Sequence, residues 1–154
     1  SKLNGPVYVR LSRLATPVIY EKNKKFEIGK AVQIGKGTDC TIFATGVTVA
    51  EAIKAKETLE KMGIYVRVVD IHTIKPIDKD LIIRCAKETE KLISVEDHGI
   101  IGGLGTAISD VLTEHYPKKL IKLGIHDSFG KSGKAEELMH YFKIDAQAIV
   151  EACK

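Results

Sequence analysis

A chain of 154 residues fits one domain and is long enough to bury about 70% of its unfolded surface; its 44% apolar and 29% charged residues are ordinary for a globular protein. The net charge of +4 is scattered: the densest lysine run, Lys22–Lys25, lies in a predicted linker with no aromatic residues interleaved, which argues against a nucleic-acid surface. Cys40, Cys85 and Cys153 are odd in number and far apart, matching neither a disulfide framework nor a zinc site, and no apolar run is long enough for a membrane span; the pattern points to a reducing cytoplasm with no membrane partner.

In chain order, Val7–Ser12 (VYVRLS) alternates and is rich in β-formers, so it reads as a strand, with Arg10 and Arg13 on opposite faces. A strand so close to the first residue leaves no room for its neighbours, and the chain is expected to be a piece of a longer protein. Leu14–Lys25 reads as a linker. Ala31–Ile34 is a short strand ended by Gly35 and Gly37, followed almost at once by a strand at Thr41–Thr45. So short a connection cannot be a parallel crossover, which predicts an antiparallel first strand at the sheet edge.

From Thr41 onward strands at Thr41–Thr45, Tyr65–Asp70, Leu92–Glu96 and Leu120–Leu123 alternate with helix-period segments. The first helix is predicted to open on a Thr48/Glu51 capping box, to bury Ala52, Ala55, Leu59 and Met62, and to end at Gly63. The second starts near Asp78, after the Lys75–Pro76–Ile77–Asp78 turn. The third carries Leu104, Ala107, Ile108, Val111 and Leu112 on one face and stops at Tyr116–Pro117. Two short helices follow, at Lys134–Phe142 and from Asp145, a predicted N-cap. The fold class is therefore α/β: a three-layer αβα domain with a mostly parallel five-stranded sheet and one antiparallel edge strand.

The chain is organised around Lys91–Ser109. A short strand runs into Glu96–Asp97–His98, then Gly99, Gly102, Gly103 and Gly105 lead into a helix. In open α/β sheets this corner, at the carboxyl end of a parallel strand, is where ligands usually meet the fold. Thr45–Gly46, Ile71–His72 and Ile125–His126–Asp127 gather at the same edge. Several motifs fail there. Gly103–Leu104–Gly105–Thr106–Ala107–Ile108 ends in a bulky Ile where a dinucleotide fingerprint needs Gly or Ala. Between Gly124 and Gly130 stand five residues, where a phosphate loop needs four, and Asp127 puts a negative charge among them. The carboxylates and histidines lack metal-ligand spacing and read as loop polars that cap helices or meet a neighbouring domain.

The pieces VRLSR (Val9–Arg13), FEIGKA (Phe26–Ala31), ATGVTVAEA (Ala44–Ala52), VRVVDIHTIKPID (Val66–Asp78), VEDHGIIGGLG (Val95–Gly105) and SGKAEELMHYFKID (Ser132–Asp145) come in the order found in one group of enzymes. The chain resembles the carboxyl-terminal region of transketolase. The same thiamine diphosphate enzymes include deoxyxylulose phosphate synthase and the β subunits of 2-oxoacid dehydrogenases; the SGK-x-x-EL ending favours transketolase.

The resemblance implies that residues 1–25 are the end of a pyrimidine-binding domain plus a linker, and that 26–154 are the carboxyl-terminal domain. It implies partner domains or a partner subunit that hold thiamine diphosphate and Mg²⁺, a homodimeric complete enzyme, and sugar phosphates as substrates. The GDG…N diphosphate motif of the family does not occur in this sequence, so no catalytic, cofactor or metal residue is expected in this chain, which should be inactive alone. One substrate contact carries over: the arginine of LSR, which holds the sugar phosphate in transketolases, matches Arg13, and a guanidinium fork suits phosphate oxygens. The glycine corner is expected to be architecture. An independent module that binds a small anionic ligand at the carboxyl edge of the sheet is the alternative.

Overall fold

In the computed structural model residues 3–13 and 15–154 are described; Ser1, Lys2 and Leu14, which fall in the lead segment 1–25, lie outside the described residues. The described elements are β1 (Val32–Ile34), β2 (Cys40–Ala44), α1 (Thr48–Lys61), β3 (Val66–Asp70), α2 (Lys79–Glu88), β4 (Lys91–Gly99), α3 (Leu104–His115), β5 (Leu120–Ile125), α4 (Ala135–Tyr141) and α5 (Ala146–Cys153). They form a five-stranded sheet in the order β1-β3-β2-β4-β5. All neighbours pair in parallel except β1, which runs antiparallel to β3 at one edge.

Strand periodicity sends alternate side chains to opposite faces. Cys40, Ile42 and Ala44 of β2, Val66 and Val68 of β3, and Ile93 and Val95 of β4 pack under α1 and α5. Phe43, Val69 and Leu92 face the other way, against Leu81, Ile82 and Cys85 of α2 and Leu104, Ile108 and Leu112 of α3. Two apolar layers thus sandwich a sheet whose central strands are buried on both faces, the expected three-layer arrangement.

The antiparallel edge strand pairs with β3 rather than with β2, its neighbour in sequence. The chain steps across the start of β3 and is clipped there. The Asp39 N–H donates to the Tyr65 carbonyl (3.0 Å), and the Tyr65 N–H donates to the Asp39 carboxylate (2.6 Å). Asp78 ties the same edge to α2: one carboxylate oxygen caps the helix through Leu81 N–H (3.2 Å), and the other accepts from Ala31 N–H at the foot of β1 (3.0 Å).

Four expectations need correction. Val7–Ser12 forms no strand; its residues are exposed and pair with neither edge of the sheet. The Thr48/Glu51 capping box does not form: Thr48 is already helical and its hydroxyl donates to the carbonyls of Thr45 and Val95 (2.9 Å each), while Glu51 pairs with Lys54 and accepts from Ala146 N–H. Met62 is 52% exposed, since α1 ends one residue earlier and the side chain turns away from the core. Finally, β4 runs on through Glu96–Asp97–His98 to Gly99, where an irregular stretch after Val95 lets Gly99 pair with Ile125 of β5. Among the described residues no helix is long and apolar enough to cross a membrane.

Candidate functional site

Strand order reverses on either side of β2: the chain passes from β2 to β3 in one direction and from β4 to β5 in the other. The crevice between the carboxyl ends of β2 and β4 is therefore the place where an open α/β sheet ordinarily takes a ligand. Here the protein fills it with its own groups. Thr48, wholly buried, bridges the two strand ends through the carbonyls of Thr45 and Val95.

Glu96 completes the closure. Period two along β4 puts Leu92, Ser94 and Glu96 on the face that meets α3. The Glu96 carboxylate is fully buried and accepts from Leu104 N–H (2.6 Å) and Gly105 N–H (2.9 Å). These are two of the otherwise unpartnered donors at the start of α3, and the carboxylate also sits at the positive end of the helix dipole. A Cβ on Gly103 would collide with that carboxylate and come 2.6 Å from the Gly99 carbonyl oxygen. The glycine corner is thus shaped to admit an internal side chain. A diphosphate would have to displace it, so the residues present do not fit thiamine diphosphate at this helix start. Among the described residues no group of His, Cys, Asp and Glu has the arrangement to hold a metal ion.

Around the closed crevice, the carboxyl ends of the strands anchor the lead segment. Arg10 donates from Nη1 to the His98 ring, 3.2 Å from Nδ1 and closer still to Nε2. Burial first, and the Arg10 charge second, hold the His98 imidazole below its ordinary pKa. Farther along, the Tyr20 hydroxyl donates to Asp70 at the end of β3 (2.7 Å), and Phe26 packs edge-on against both Tyr20 and His72. Burial, then the Asp70 carboxylate, push the Tyr20 phenol up; burial also raises Asp70, against the opposing effects of Tyr20 and His72. Residues 16–20 and the start of α1 enclose a groove of about 360 Å³.

Arg13 stands exposed in the lead segment, three residues beyond Arg10, and makes no hydrogen bond or ion pair among the described residues. His126 and Asp127 are exposed on the loop after β5, apart from the Glu96 cap. Sequence reasoning missed the Arg10–His98 and Tyr20–Asp70 contacts, which span 88 and 50 residues and leave no local signal.

Fold and site together define an α/β domain of the three-layer kind whose ligand crevice is closed by its own side chains. Residues 29–149 match the family described as transketolase, C-terminal domain, and the chain belongs to that family. It is 45% identical to a putative transketolase C-terminal section from Methanocaldococcus jannaschii, over 98% of this chain and 48% of the relative. It is 40% identical to a 6-deoxy-6-sulfo-D-fructose transketolase subunit from a Clostridium species, over 97% of this chain and 46% of the relative. Among solved structures, a split-gene transketolase described as an inactive beta4 tetramer superposes with a TM-score of 0.94 at 38% identity, over 98% of this chain and 50% of that one. The chain thus spans about half the length of these relatives.

Two outcomes test the site. Glu96→Ala strips the acceptor from two buried N–H groups at about 1–3 kcal/mol each, so urea unfolding should show a loss of roughly 2–5 kcal/mol; a change within about 0.5 kcal/mol would mean that the carboxylate does not hold the corner. For Asp70, a folded pKa above the unfolded one means that the folded state binds its proton more tightly. Stability from this group therefore falls as pH rises from about 4 through the raised value. Asp70→Asn keeps an acceptor for Tyr20 and lacks that titration. Its Tm relative to the unsubstituted chain should climb between about pH 3 and 6; a declining difference would reverse the sign of the Asp70 shift.

Proposed function

We propose that this chain is the carboxyl-terminal part of a transketolase that moves a two-carbon ketol unit between phosphorylated sugars, in the manner of the pentose phosphate pathway, and that it needs partner domains for catalysis. The carrying observation is the buried Glu96 carboxylate at the start of α3, which gives the anion position of the fold to an internal group. In this reading thiamine diphosphate and Mg²⁺ belong to the remaining domains or subunit, and the complete enzyme is a cytoplasmic homodimer. Residues 1–25 close the pyrimidine-binding domain and lead into the domain formed by 26–154.

The exposed lead segment supports the partner domains. Tyr8 is 88%, Leu11 83% and Val18 93% exposed, an apolar display that a neighbouring domain would cover. On the loop after β5, Phe129 is 97% exposed, and Ile101 follows β4 at 76%. The solved relative described as inactive is itself about twice as long as this chain, which favours an inactive chain here. Arg13 is the proposed contact for the anionic end of the sugar. The relative named for a sulfonated fructose fits the same chemistry, because a guanidinium fork takes sulfonate or phosphate oxygens alike.

The purified chain, given thiamine diphosphate, Mg²⁺, xylulose 5-phosphate and ribose 5-phosphate, should show no turnover above background; ketol transfer by the chain alone would refute the assignment of catalysis to partner domains. In the complete enzyme, Arg13→Ala removes a charge-assisted contact worth about 1.5–3 kcal/mol, so KM for phosphorylated sugars should rise roughly 10- to 150-fold. Some loss of kcat is allowed where the phosphate positions the reacting carbon. An unphosphorylated donor such as hydroxypyruvate should be nearly unaffected. Equal losses for both donors would give Arg13 a purely structural role, and no loss for either would make it a bystander.

A further inference from the structure

At the opposite end of the sheet from the closed crevice, two cysteines far apart in sequence meet. Cys40 opens β2 and Cys153 closes α5; their Sγ atoms lie 3.5 Å apart although the two positions differ by 113 in sequence. Both are buried, at 0% and 4% exposure. Lys91, the first residue of β4, donates from Nζ to the Cys153 carbonyl (3.0 Å). An ammonium thus stands beside the thiol pair at the mouth of the layer between α5 and the sheet.

We propose that Cys40 and Cys153 form an oxidative modification site, a dithiol that closes to a disulfide under peroxide and staples α5 to the central strand β2. Cys153 is the attacking member. It lies in the last turn of α5 with the Lys91 ammonium on its own carbonyl (3.0 Å), whereas Cys40 is wholly buried in the central strand. The Cys153 thiolate attacks one oxygen of hydrogen peroxide; the O–O bond breaks, and hydroxide leaves and takes up a proton, giving a sulfenic acid and one water. Cys40 then gives up its proton as its sulfur attacks the sulfenic sulfur; the S–S bond forms and a second water leaves. Two thiols and one peroxide become a disulfide and two waters, with the two electrons passing from sulfur to oxygen.

Access and geometry are compatible with this step. Cys153 lies in the final turn of an eight-residue helix, and helix ends open locally at small cost. Closing the sulfurs from 3.5 Å to about 2.05 Å is a shift of about 1.5 Å, to be taken up at the last turn of α5. Cys85 supplies an internal control. It is equally buried, but its sulfur lies 4.0 Å from an Arg67 nitrogen rather than beside a thiol, and burial holds its thiol up.

The test uses the reduced chain, treated with hydrogen peroxide, alkylated, digested without reductant and mapped by mass spectrometry. The expected result is a crosslinked Cys40–Cys153 peptide pair with Cys85 still alkylatable. It should come with a Tm rise of roughly 10 °C, as expected for closing so long a loop in a domain of this size, and dithiothreitol should reverse both. With Cys40→Ser, the same treatment should leave Cys153 as a sulfenic acid that dimedone traps. The proposal is overturned if Cys40 and Cys153 both stay alkylatable, if Cys85 is consumed first, or if Cys153 goes on to sulfinic acid in the unsubstituted chain without a crosslink.

Discussion

The domain is arranged about one buried charge. Glu96 carries a carboxylate into a fully dry corner, and such a group is tolerated only where donors replace its lost water. The start of α3 supplies them, from Leu104 and Gly105. The need is mutual, since a buried helix start also requires acceptors for its first N–H groups. Three features follow from that pairing. Gly103 has no side chain, so that the helix start can reach the carboxylate. The stretch of β4 beyond Val95 is irregular, so that the strand continues to Gly99 and presents Glu96 inward. The two N–H donors at the start of α3 that an anion could use are already taken by Glu96. Thr48 does on the β2 side what Glu96 does on the β4 side, setting its buried hydroxyl 2.9 Å from the carbonyls of Thr45 and Val95.

Much of this was legible in the sequence because periodicity reports burial directly. The parallel strands read as short apolar runs, the helices as threefold and fourfold repeats, and the layer order followed from their alternation. Asp145 was readable as a cap, and the turn ending at Asp78 as a helix start, because a cap is a local event: each carboxylate meets an N–H three residues on. Thr48 misled for the same reason. Its spacing to Glu51 imitates a capping box, but β4 lies close enough to offer the Val95 carbonyl, and the hydroxyl serves the tertiary contact instead. The lead segment misled in a second way. Val7–Leu11 has the alternation of a strand, and alternation states which conformation suits a segment, not whether a partner edge exists to pair with it.

The candidate site was legible in place but not in role. The acidic and imidazole-bearing residues after Val95 marked the right corner, and a capping role was among the readings open to them. What assigns Glu96 to α3 and His98 to the lead segment is the face that each side chain takes from β4, together with the position of residues far off in sequence. Cys40 and Cys153 make the same point at the other end of the sheet. Their separation argued against any relation, yet α5 returns against α1 and lays its last turn over the start of β2.

A domain that closes its own crevice can still shape chemistry at a distance by fixing where a connecting segment lies. The lead segment is tied down at two strand ends, by Arg10 on His98 and by Tyr20 on Asp70. Arg13 lies between these anchors, three residues from the first and seven from the second, and an extended residue spans at most about 3.3–3.6 Å. Its backbone is therefore confined to within roughly 11 Å of the Arg10 backbone, while its exposed guanidinium has no hydrogen bond or ion pair among the described residues. Such restraint lowers the entropy lost when a flexible cation captures an anion. The His98 anchor holds best while the imidazole is neutral, because a protonated ring would place a second positive charge against Arg10. Burial and Arg10 both keep the proton off. The groups that hold the segment in place thus differ from Arg13, and the phosphate contact proposed for Arg13 would depend on both.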